Sequence, residues 1–241
     1  MPGGRRWFAR GPIARLFDRS GVVFADRREA GRELAAALMP LKERDPIVLA
    51  LPRGGVPVAF EVATALEAPL DVVLVRKIGA PGHSELGLGA IVDGPEPQLV
   101  LNDDIVRLLD PDPAYIEAEK ARELNEIERR KAIYRGDRAP LATAGRVVIV
   151  IDDGIATGGT VTAVLRALAP AKPAHAVLAV PVAPRDALPA LAREADQVVC
   201  LATPDPFFAV GAHYRDFTQT TDEEVVELLR RAAQARERRG G

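Results

Sequence analysis

Short apolar runs alternate with longer amphipathic segments along most of the chain, and this alternation predicts the secondary structure. The apolar runs, rich in Val, Ile, Leu and Ala, are predicted as buried strands at residues 47–51, 70–75, 147–151, 176–182 and 197–201. Segments of helical period are predicted as helices at residues 26–38, 56–66, 112–134 and 161–168. Strands that alternate with helices are typical of a parallel sheet with helices on its faces. The pattern therefore predicts an α/β fold with a mostly parallel central sheet flanked by helices.

Two stretches interrupt this alternation. Residues 79–89 contain four glycines and one proline, so we predict a loop that can change its conformation. Residues 91–101 are predicted as a hairpin around Gly94 and Pro95.

The two ends of the chain differ in composition from the middle. The first 20 residues are basic and rich in glycine, and residues 231–241 are rich in charged residues, so both are predicted as flexible ends. A chain of 241 residues is long enough for one full domain at about 100–200 residues per domain. We therefore predict one domain over residues 21–230.

Composition and charge exclude several classes of protein. The 32 Lys and Arg residues against 34 Asp and Glu residues give a net charge of −2, so no general positive field attracts nucleic acid or an anionic membrane. The single cysteine, Cys200, excludes an intramolecular disulfide, and its apolar neighbours predict a buried strand residue. We find neither the apolar run of a secretory signal nor the stretch of about 18 apolar residues that a membrane span needs. We therefore expect a cytoplasmic protein that binds neither nucleic acid nor membranes.

The candidate chemistry is concentrated in residues 152–160, which follow a strongly apolar predicted strand. Asp152 and Asp153 stand at the carboxyl end of that strand, where open α/β sheets bind their ligands. A turn of small residues follows them: Ala156, Thr157, Gly158, Gly159 and Thr160. Such a turn at a helix N-terminus offers backbone N–H groups to a phosphate, whereas carboxylates attract hydroxyls or a hydroxyl-bound cation. The pattern predicts a sugar phosphate as ligand. A simple helix cap is the alternative, although a cap needs only one such side chain.

These residues resemble the signature of the type I phosphoribosyltransferases, in which an apolar strand leads to two acidic residues, a short spacer and a Thr-Gly-rich phosphate loop. The stretch 152–160 is most similar to the adenine branch. The resemblance implies that Asp152 and Asp153 hold the ribose 2- and 3-hydroxyls of phosphoribosyl pyrophosphate (PRPP), and that residues 156–160 cradle its 5-phosphate. It also implies the family's fold, with a small hood formed from about residues 21–40 and 203–230.

Two further loops stand where this family binds the pyrophosphate. The resemblance implies that Arg53, Gly54 and Gly55 wrap the pyrophosphate, with a non-proline cis peptide near Arg53–Gly54. Arg76 and Lys77 end the second predicted strand and resemble the Arg-Lys pair that adenine and orotate phosphoribosyltransferases place near the pyrophosphate. Taken singly, an ordinary turn and a solvated strand edge are equally good interpretations. Three such loops after three strands favour an anion site.

The resemblance also assigns roles to the glycine-rich loop and to the C-terminal part. Residues 79–89 correspond to the family's mobile catalytic loop, in which Glu85 is the candidate to exchange a proton with the acceptor. Phe207 and Phe208 lie in a segment, 204–217, that resembles the base-recognition hood of the 6-oxopurine enzymes, and they are candidates to stack on the acceptor base. The lysine with which those enzymes read the purine oxygen is absent. A hydrophobic latch that pins this segment to the core is the alternative.

The function expected from the resemblance is Mg²⁺-dependent transfer of a 5-phosphoribosyl group from PRPP to a nitrogenous base, with release of pyrophosphate. The ion is expected near Asp152 and Asp153 without direct protein ligands, Lys77 is expected among the catalytic residues, and a homodimer is expected because it is common in the family. Two alternatives stay open. One is a regulatory protein that binds PRPP with little or no turnover; the other is a phosphatase with Asp152 as nucleophile, although that chemistry favours Asp-x-Asp spacing.

Overall fold

A computed structural model describes residues 13–16, 23–94 and 96–240 of the chain. The strands in this part of the chain are β1 (Ile13–Leu16), β2 (Ile47–Ala50), β3 (Leu70–Val72), β4 (Val75–Ala80), β5 (His83–Val92), β6 (Gln98–Leu101), β7 (Val147–Ile151), β8 (His175–Val182) and β9 (Gln197–Ala202). The helices are α1 (Arg27–Leu38), α2 (Gly55–Leu66), α3 (Asp103–Leu109), α4 (Pro113–Tyr134), α5 (Gly159–Leu168), α6 (Leu188–Leu191) and α7 (Asp222–Gly240).

Six strands form a parallel sheet in the order β1-β9-β8-β7-β2-β3. Side chains along β7 alternate between two apolar layers, because successive strand residues point to opposite faces. Ile149 and Ile151 pack with residues of α1, α2 and α7, whereas Val148 and Val150 pack with residues of α5. The predicted α/β fold, with a mostly parallel central sheet flanked by helices, is confirmed. Because the strands are parallel, β2, β7 and β8 end at the same edge.

The other three strands form a separate antiparallel sheet in the order β4-β5-β6. The prediction of a loop at residues 79–89 is therefore wrong, because most of this stretch belongs to β4 and β5. In β5, glycine is required at position 89 for a steric reason, because a Cβ there would lie 2.3 Å from the carbonyl oxygen of Val100 on β6. The hairpin predicted at residues 91–101 is present in the pairing of β5 with β6.

The strand predicted at residues 70–75 is divided between the two sheets. β3 leaves the parallel sheet at Val72, and β4 enters the antiparallel sheet at Val75. Arg76 and Lys77 consequently lie inside β4 and do not end a strand of the central sheet. The division places the antiparallel sheet beside the carboxyl ends of the parallel strands.

A buried ion cluster joins the two sheets. Arg135, at the end of α4, donates from Nε to Asp71 Oδ1 at 3.2 Å and from Nη1 to Asp93 Oδ2 at 3.0 Å. Its Nη2 also donates to the carbonyl oxygen of Val72 at 2.8 Å. Asp71 belongs to β3 and Asp93 follows β5, so one arginine fixes the antiparallel sheet against the parallel one.

Both ends of the described chain contain secondary structure that the composition did not predict. β1 lies within the predicted N-terminal extension and pairs in parallel with β9, with Ile13 opposite Val198. Most of that extension lies outside the described residues. At the other end α7 continues to Gly240, beyond the point at residue 231 where a flexible tail was predicted. This helix is highly charged, and ion pairs between residues three apart, such as Glu227 with Arg230 at 2.8 Å, stabilise it.

Two further sequence features concern classes of function rather than the site. Cys200 is buried in β9, and burial raises the pKa of its thiol to about 12, so it is a neutral core residue as its neighbours predict. Among the described helices, none combines the length and the apolar character that crossing a bilayer requires.

Candidate functional site

A pocket of about 180 Å³ opens at the carboxyl end of β7. Its lining combines one amine, one carboxylate, a run of Gly, Ala and Thr residues and three apolar side chains. The lining residues are Lys77, Asp152, Gly154, Ile155, Ala156, Thr157, Gly158, Gly159, Thr160, Val161 and Val210. The structure thus brings together the predicted phosphate loop from β7, one predicted carboxylate, and Lys77 from β4 of the other sheet.

The loop at residues 156–160 has the geometry of an anion cradle. Gly158 adopts a φ of +81°, in the left-handed region where a side chain would be strained, and this turn lets α5 begin at Gly159. The first backbone N–H groups of a helix have no partner inside the helix and carry its partial positive charge. Ala156 and Thr157 are exposed. The loop therefore offers donors and a favourable dipole to an anion in the pocket.

Asp152 and Asp153 have different surroundings although they are adjacent. Asp152 lines the pocket, and its Oδ1 accepts the backbone N–H of Asp153 at 2.8 Å. Burial raises the pKa of the Asp152 carboxyl, and the neighbouring charge of Asp153 raises it further. Asp153 Oδ2 instead accepts a hydrogen bond from Arg27 Nε at 2.7 Å. Burial raises the pKa of Asp153 as well, while Arg27 acts to lower it.

The turn after β2 packs directly against these carboxylates. A Cβ on Gly54 would lie 2.0 Å from Asp153 Oδ2, and a Cβ on Gly55 would lie 2.8 Å from the carbonyl oxygen of Ile151. Both positions therefore require glycine. A non-proline cis peptide is present in this turn between Pro52 and Arg53, one bond before the predicted position.

The two predicted arginines of the pyrophosphate site have partners outside the pocket. Arg53 Nη1 lies 3.8 Å from Asp222 Oδ1 at the start of α7. Arg76 Nε donates to Glu123 Oε2 on α4 at 2.6 Å. Since successive strand residues face opposite sides, Arg76 points away from the pocket that Lys77 lines. Arg76 lies outside the lining of this pocket, and its role at the pyrophosphate stays a prediction.

Of the predicted hood, the segments 23–27 and 203–218 pair with each other beside Asp153 and are called the hood below, whereas residues of α1 and α7 pack against the central sheet. Phe24 donates its N–H to the carbonyl oxygen of His213 at 2.9 Å, and the N–H of Arg215 donates to the carbonyl oxygen of Phe24 at 2.8 Å. Tyr214 donates its hydroxyl to the backbone carbonyl of Asp153. The hood therefore attaches to the residues that follow β7.

The residues predicted to contact the acceptor lie outside the lining of the pocket. Phe207 stacks on His213 with ring centroids 5.4 Å apart, and Phe208 is 83% exposed. Thr203 Oγ1 and His213 Nε2 are buried in the hood without a hydrogen-bond partner among the described residues. Only the backbone of Glu85 is described, in β5, so its catalytic role stays a prediction.

Sequence reasoning missed two residues of this site, Arg27 and Tyr214. Arg27 is separated from Asp153 by 126 positions, and no local motif marks it within the predicted helix. Tyr214 lies in the segment predicted as a hood. Its aromatic ring indicates a residue that packs there, but the sequence gives no sign of its hydrogen bond to the backbone of Asp153.

Comparisons with known proteins agree with the geometry. A model of the family described as "Phosphoribosyl transferase domain" matches residues 25–216. Two curated relatives from Mycobacterium tuberculosis, strains CDC 1551 and H37Rv, carry the name "Putative phosphoribosyl transferase" and are 50% identical to the chain over 210 residues. These matches cover 87% of the chain and 47% of each relative, so the chain spans about half the length of the curated relatives it matches. The crystal structure of TT1426 from Thermus thermophilus is similar with a TM-score of 0.76 and 47% identity, and the match covers 86% of this chain and 98% of that one.

Proposed function

Since the chain belongs to the phosphoribosyl transferase domain family, we propose that it transfers a 5-phosphoribosyl group from PRPP to a nitrogenous base and releases pyrophosphate. The observation that carries this proposal is the pocket at the carboxyl end of β7, where Lys77, Asp152 and residues 156–160 meet. A ligand with a phosphate at one end and hydroxyls at the other matches a loop of N–H donors beside a carboxylate.

Each part of PRPP has a proposed partner in the chain. The 5-phosphate binds the N–H groups of residues 156–160 at the start of α5, and the ribose hydroxyls donate to Asp152. Lys77 faces this space from β4 and stabilises the negative charge that develops on the leaving pyrophosphate. The pyrophosphate is proposed to bind the turn after β2, where Gly54 and Gly55 carry no side chains that would cover the backbone N–H groups.

Magnesium dependence and a homodimer are part of the proposal. Among the residues with described side chains, no group of three or more His, Cys, Asp or Glu forms a metal cage. The donor set fits Mg²⁺ nevertheless, since this ion commonly takes one or two carboxylates and completes its shell with waters and substrate phosphates. Asp152 would hold the ion through one of these waters and not as a direct ligand. When bound, the ion would neutralise charge on the pyrophosphate.

The acceptor is proposed to enter from the hood side. Phe207 and Phe208 offer aromatic surface there, and Phe208 is 83% exposed. Glu85 is proposed to exchange the proton of the acceptor nitrogen. These groups suit a flat heterocycle with both polar and apolar edges.

The proposal is tested by PRPP binding and by pyrophosphate release. Calorimetry with PRPP and Mg²⁺ measures the dissociation constant, and a panel of purines, pyrimidines and smaller heterocycles identifies the acceptor. We expect Lys77→Gln to weaken PRPP binding at least about tenfold, because it removes a charged donor. Lys120→Gln, which changes an exposed lysine of α4 paired with Glu117, should leave binding unchanged.

Three outcomes of these assays differ in meaning. Release of pyrophosphate with one acceptor supports the transferase and names its substrate. Tight PRPP binding without release from any acceptor favours the regulatory alternative. Absence of PRPP binding by the folded wild-type protein overturns the proposed function.

A further inference from the structure

Arg27 lies in the predicted hood but has no predicted role at the site, and it makes three contacts beside the pocket. Its Nε donates to Asp153 Oδ2 at 2.7 Å, and its Nη1 donates to the carbonyl oxygen of Thr218 at 2.8 Å. Its guanidinium carbon lies 3.9 Å from the centroid of the Phe217 ring. Only 11% of the side chain is exposed. Arg27 therefore connects α1, the turn after β7 and the C-terminal part of the hood.

Aromatic packing extends this connection to the backbone of Asp153. Phe217 stacks on Tyr214 with centroids 5.1 Å apart, and Tyr214 donates its hydroxyl to the carbonyl oxygen of Asp153. A Cβ on Gly211 would lie 2.7 Å from the Phe217 ring, so the ring lies directly on the hood backbone. Asp153 is thus held twice, through its side chain by Arg27 and through its backbone by Tyr214.

The position of Asp153 in turn fixes that of Asp152. Gly54 covers Asp153 Oδ2 so closely that no side chain fits between them, and this oxygen is already bonded to Arg27. The backbone N–H of Asp153 donates to Asp152 Oδ1 at 2.8 Å. A shift of Asp153 therefore changes the direction in which Asp152 faces the pocket. Arg27 also offsets the repulsion between these two adjacent carboxylates, because its charge acts to lower the pKa of both.

We propose that Arg27 is a positioning residue of the phosphoribosyl site, which holds Asp153 and thereby sets the orientation of Asp152 and the place of the hood. Arginine suits this role better than lysine. Its planar guanidinium donates in two directions and stacks on an aromatic ring at once, whereas an ammonium is a compact point charge. The consequence for PRPP rests on the proposed function, whereas the attachment of the hood does not.

The experiment uses two variants of Arg27 and one matched control. Arg27→Gln removes the charge and Arg27→Lys keeps it. Arg28→Gln changes the next residue of α1, whose Nη1 lies 3.6 Å from Glu61 Oε1 at the surface. For each protein we would measure thermal unfolding, the PRPP dissociation constant, kcat and KM, and amide hydrogen exchange of residues 210–218.

The expected results separate positioning from general stability. Arg27→Gln should raise the PRPP dissociation constant at least about tenfold, because a buried charged hydrogen bond is lost beside Asp152. It should also speed hydrogen exchange in the hood. Arg27→Lys should recover PRPP binding to within about threefold of wild type, since an ammonium still pairs with Asp153, while hood exchange stays fast. Arg28→Gln should match wild type within about twofold in both measurements.

Several results would overturn the proposal. One is a folded Arg27→Gln protein with wild-type PRPP affinity and wild-type hood exchange; another is an equal loss of affinity in Arg28→Gln, which would indicate a general charge effect. If Arg27→Gln does not fold, Arg27→Lys decides, and unchanged hood exchange there contradicts the proposal. If wild type itself does not bind PRPP, the proposed function fails and the role of Arg27 in orienting Asp152 for PRPP fails with it, whereas fast hood exchange in the Arg27 variants would still support the attachment of the hood by Arg27.

Discussion

Two clusters of one arginine and two carboxylates, one between the sheets and one beside the pocket, are built differently. The joint cluster consists of Arg135, Asp71 and Asp93, and the site cluster consists of Arg27, Asp152 and Asp153. In the joint cluster the arginine bonds both carboxylates. In the site cluster it bonds one carboxylate and leaves the other facing the pocket.

The joint cluster uses its guanidinium fully within the protein. Arg135 donates to both carboxylates and to the carbonyl oxygen of Val72, so its donors are directed at fixed groups of both sheets. Burial raises the pKa of Asp93, and Arg135 opposes that shift. Asp93 Oδ1 is buried without a hydrogen-bond partner among the described residues, but Asp93 Oδ2 and Asp71 Oδ1 both accept from Arg135. The cluster therefore joins the two sheets and leaves neither carboxylate without a cation.

The site cluster divides its guanidinium between one carboxylate and the hood. Asp152 receives a backbone N–H from Asp153, forms no ion pair with a cation among the described residues, and lines the pocket. The comparison teaches that the cluster that leaves one carboxylate without a cation is the candidate for ligand binding. A ligand with hydroxyl donors, or a cation, would complete the cluster.

The strongest way to break the joint cluster is Arg135→Met. It leaves two buried carboxylates without their cation, and we expect the free energy of unfolding to fall by about 3–5 kcal/mol. Urea unfolding at neutral pH measures the loss. At a temperature where the variant is folded, PRPP binding should weaken less than in Lys77→Gln, because this cluster supports the sheet that carries Lys77 but does not itself line the pocket.

An exposed ion pair provides the control for that prediction. Arg146 Nη2 lies 2.8 Å from Asp45 Oδ2, which belongs to a largely exposed side chain. Arg146→Met should therefore cost less than about 1 kcal/mol. Equal losses for Arg135→Met and Arg146→Met would show that the joint cluster has no special structural role.

The complementary change in the site cluster is Asp152→Asn. We expect PRPP binding to weaken at least about tenfold, because a charged acceptor of ribose hydroxyls is lost. The free energy of unfolding should not fall, since the substitution removes a carboxylate without a cation beside Asp153. Calorimetry and urea unfolding measure the two effects. A variant that loses stability but keeps PRPP affinity would assign Asp152 to a structural role, and the site cluster would then resemble the joint cluster.

The pH dependence of the free energy of unfolding also tests whether Asp152 is a buried carboxylate without a cation, and the expected effect is smaller. In the unfolded chain the pKa of Asp152 is about 3.9. In the folded protein it is raised above that value. As pH rises, the unfolded chain loses this proton first, so stability falls between the unfolded and the folded pKa and then levels off. Asp152→Asn lacks this loss. Its advantage over wild type in urea unfolding should grow from pH 4 upwards, and parallel curves would contradict the raised pKa.

The sequence predicts the part of the site that is local in the chain. β7, the acidic pair and residues 156–160 are contiguous, so strand, carboxylates and phosphate loop can be inferred from a single stretch. Lys77 was identified beside Arg76, but only the structure reveals which face of β4 each occupies. That distinction depends on the change of sheet between β3 and β4.

Long-range pairs were not predictable for a physical reason. Arg27 and Asp153 are 126 positions apart, and Arg135 and Asp71 are 64 apart, so neither pair leaves a periodic signal. The glycines at residues 79–89 misled in another way. They indicate a loop when judged by conformational freedom alone, whereas Gly89 is required by the close approach of β6.

The smallest expected effect concerns a third arginine–carboxylate pair, which is more exposed than either cluster. Arg53 Nη1 lies 3.8 Å from Asp222 Oδ1, and Asp222 also accepts the hydroxyl of Tyr134. Asp222→Asn keeps an acceptor for Tyr134 but removes the charge that attracts Arg53. We expect PRPP to bind about twofold more tightly, because Arg53 becomes free to turn towards the pyrophosphate, and stability to change by less than about 1 kcal/mol. Glu224→Gln removes another acid from the first turn of α7 and controls for the helix dipole. Weaker binding in Asp222→Asn than in Glu224→Gln would mean that Asp222 holds Arg53 in its working position, and the pair would then belong with the fixed joint cluster.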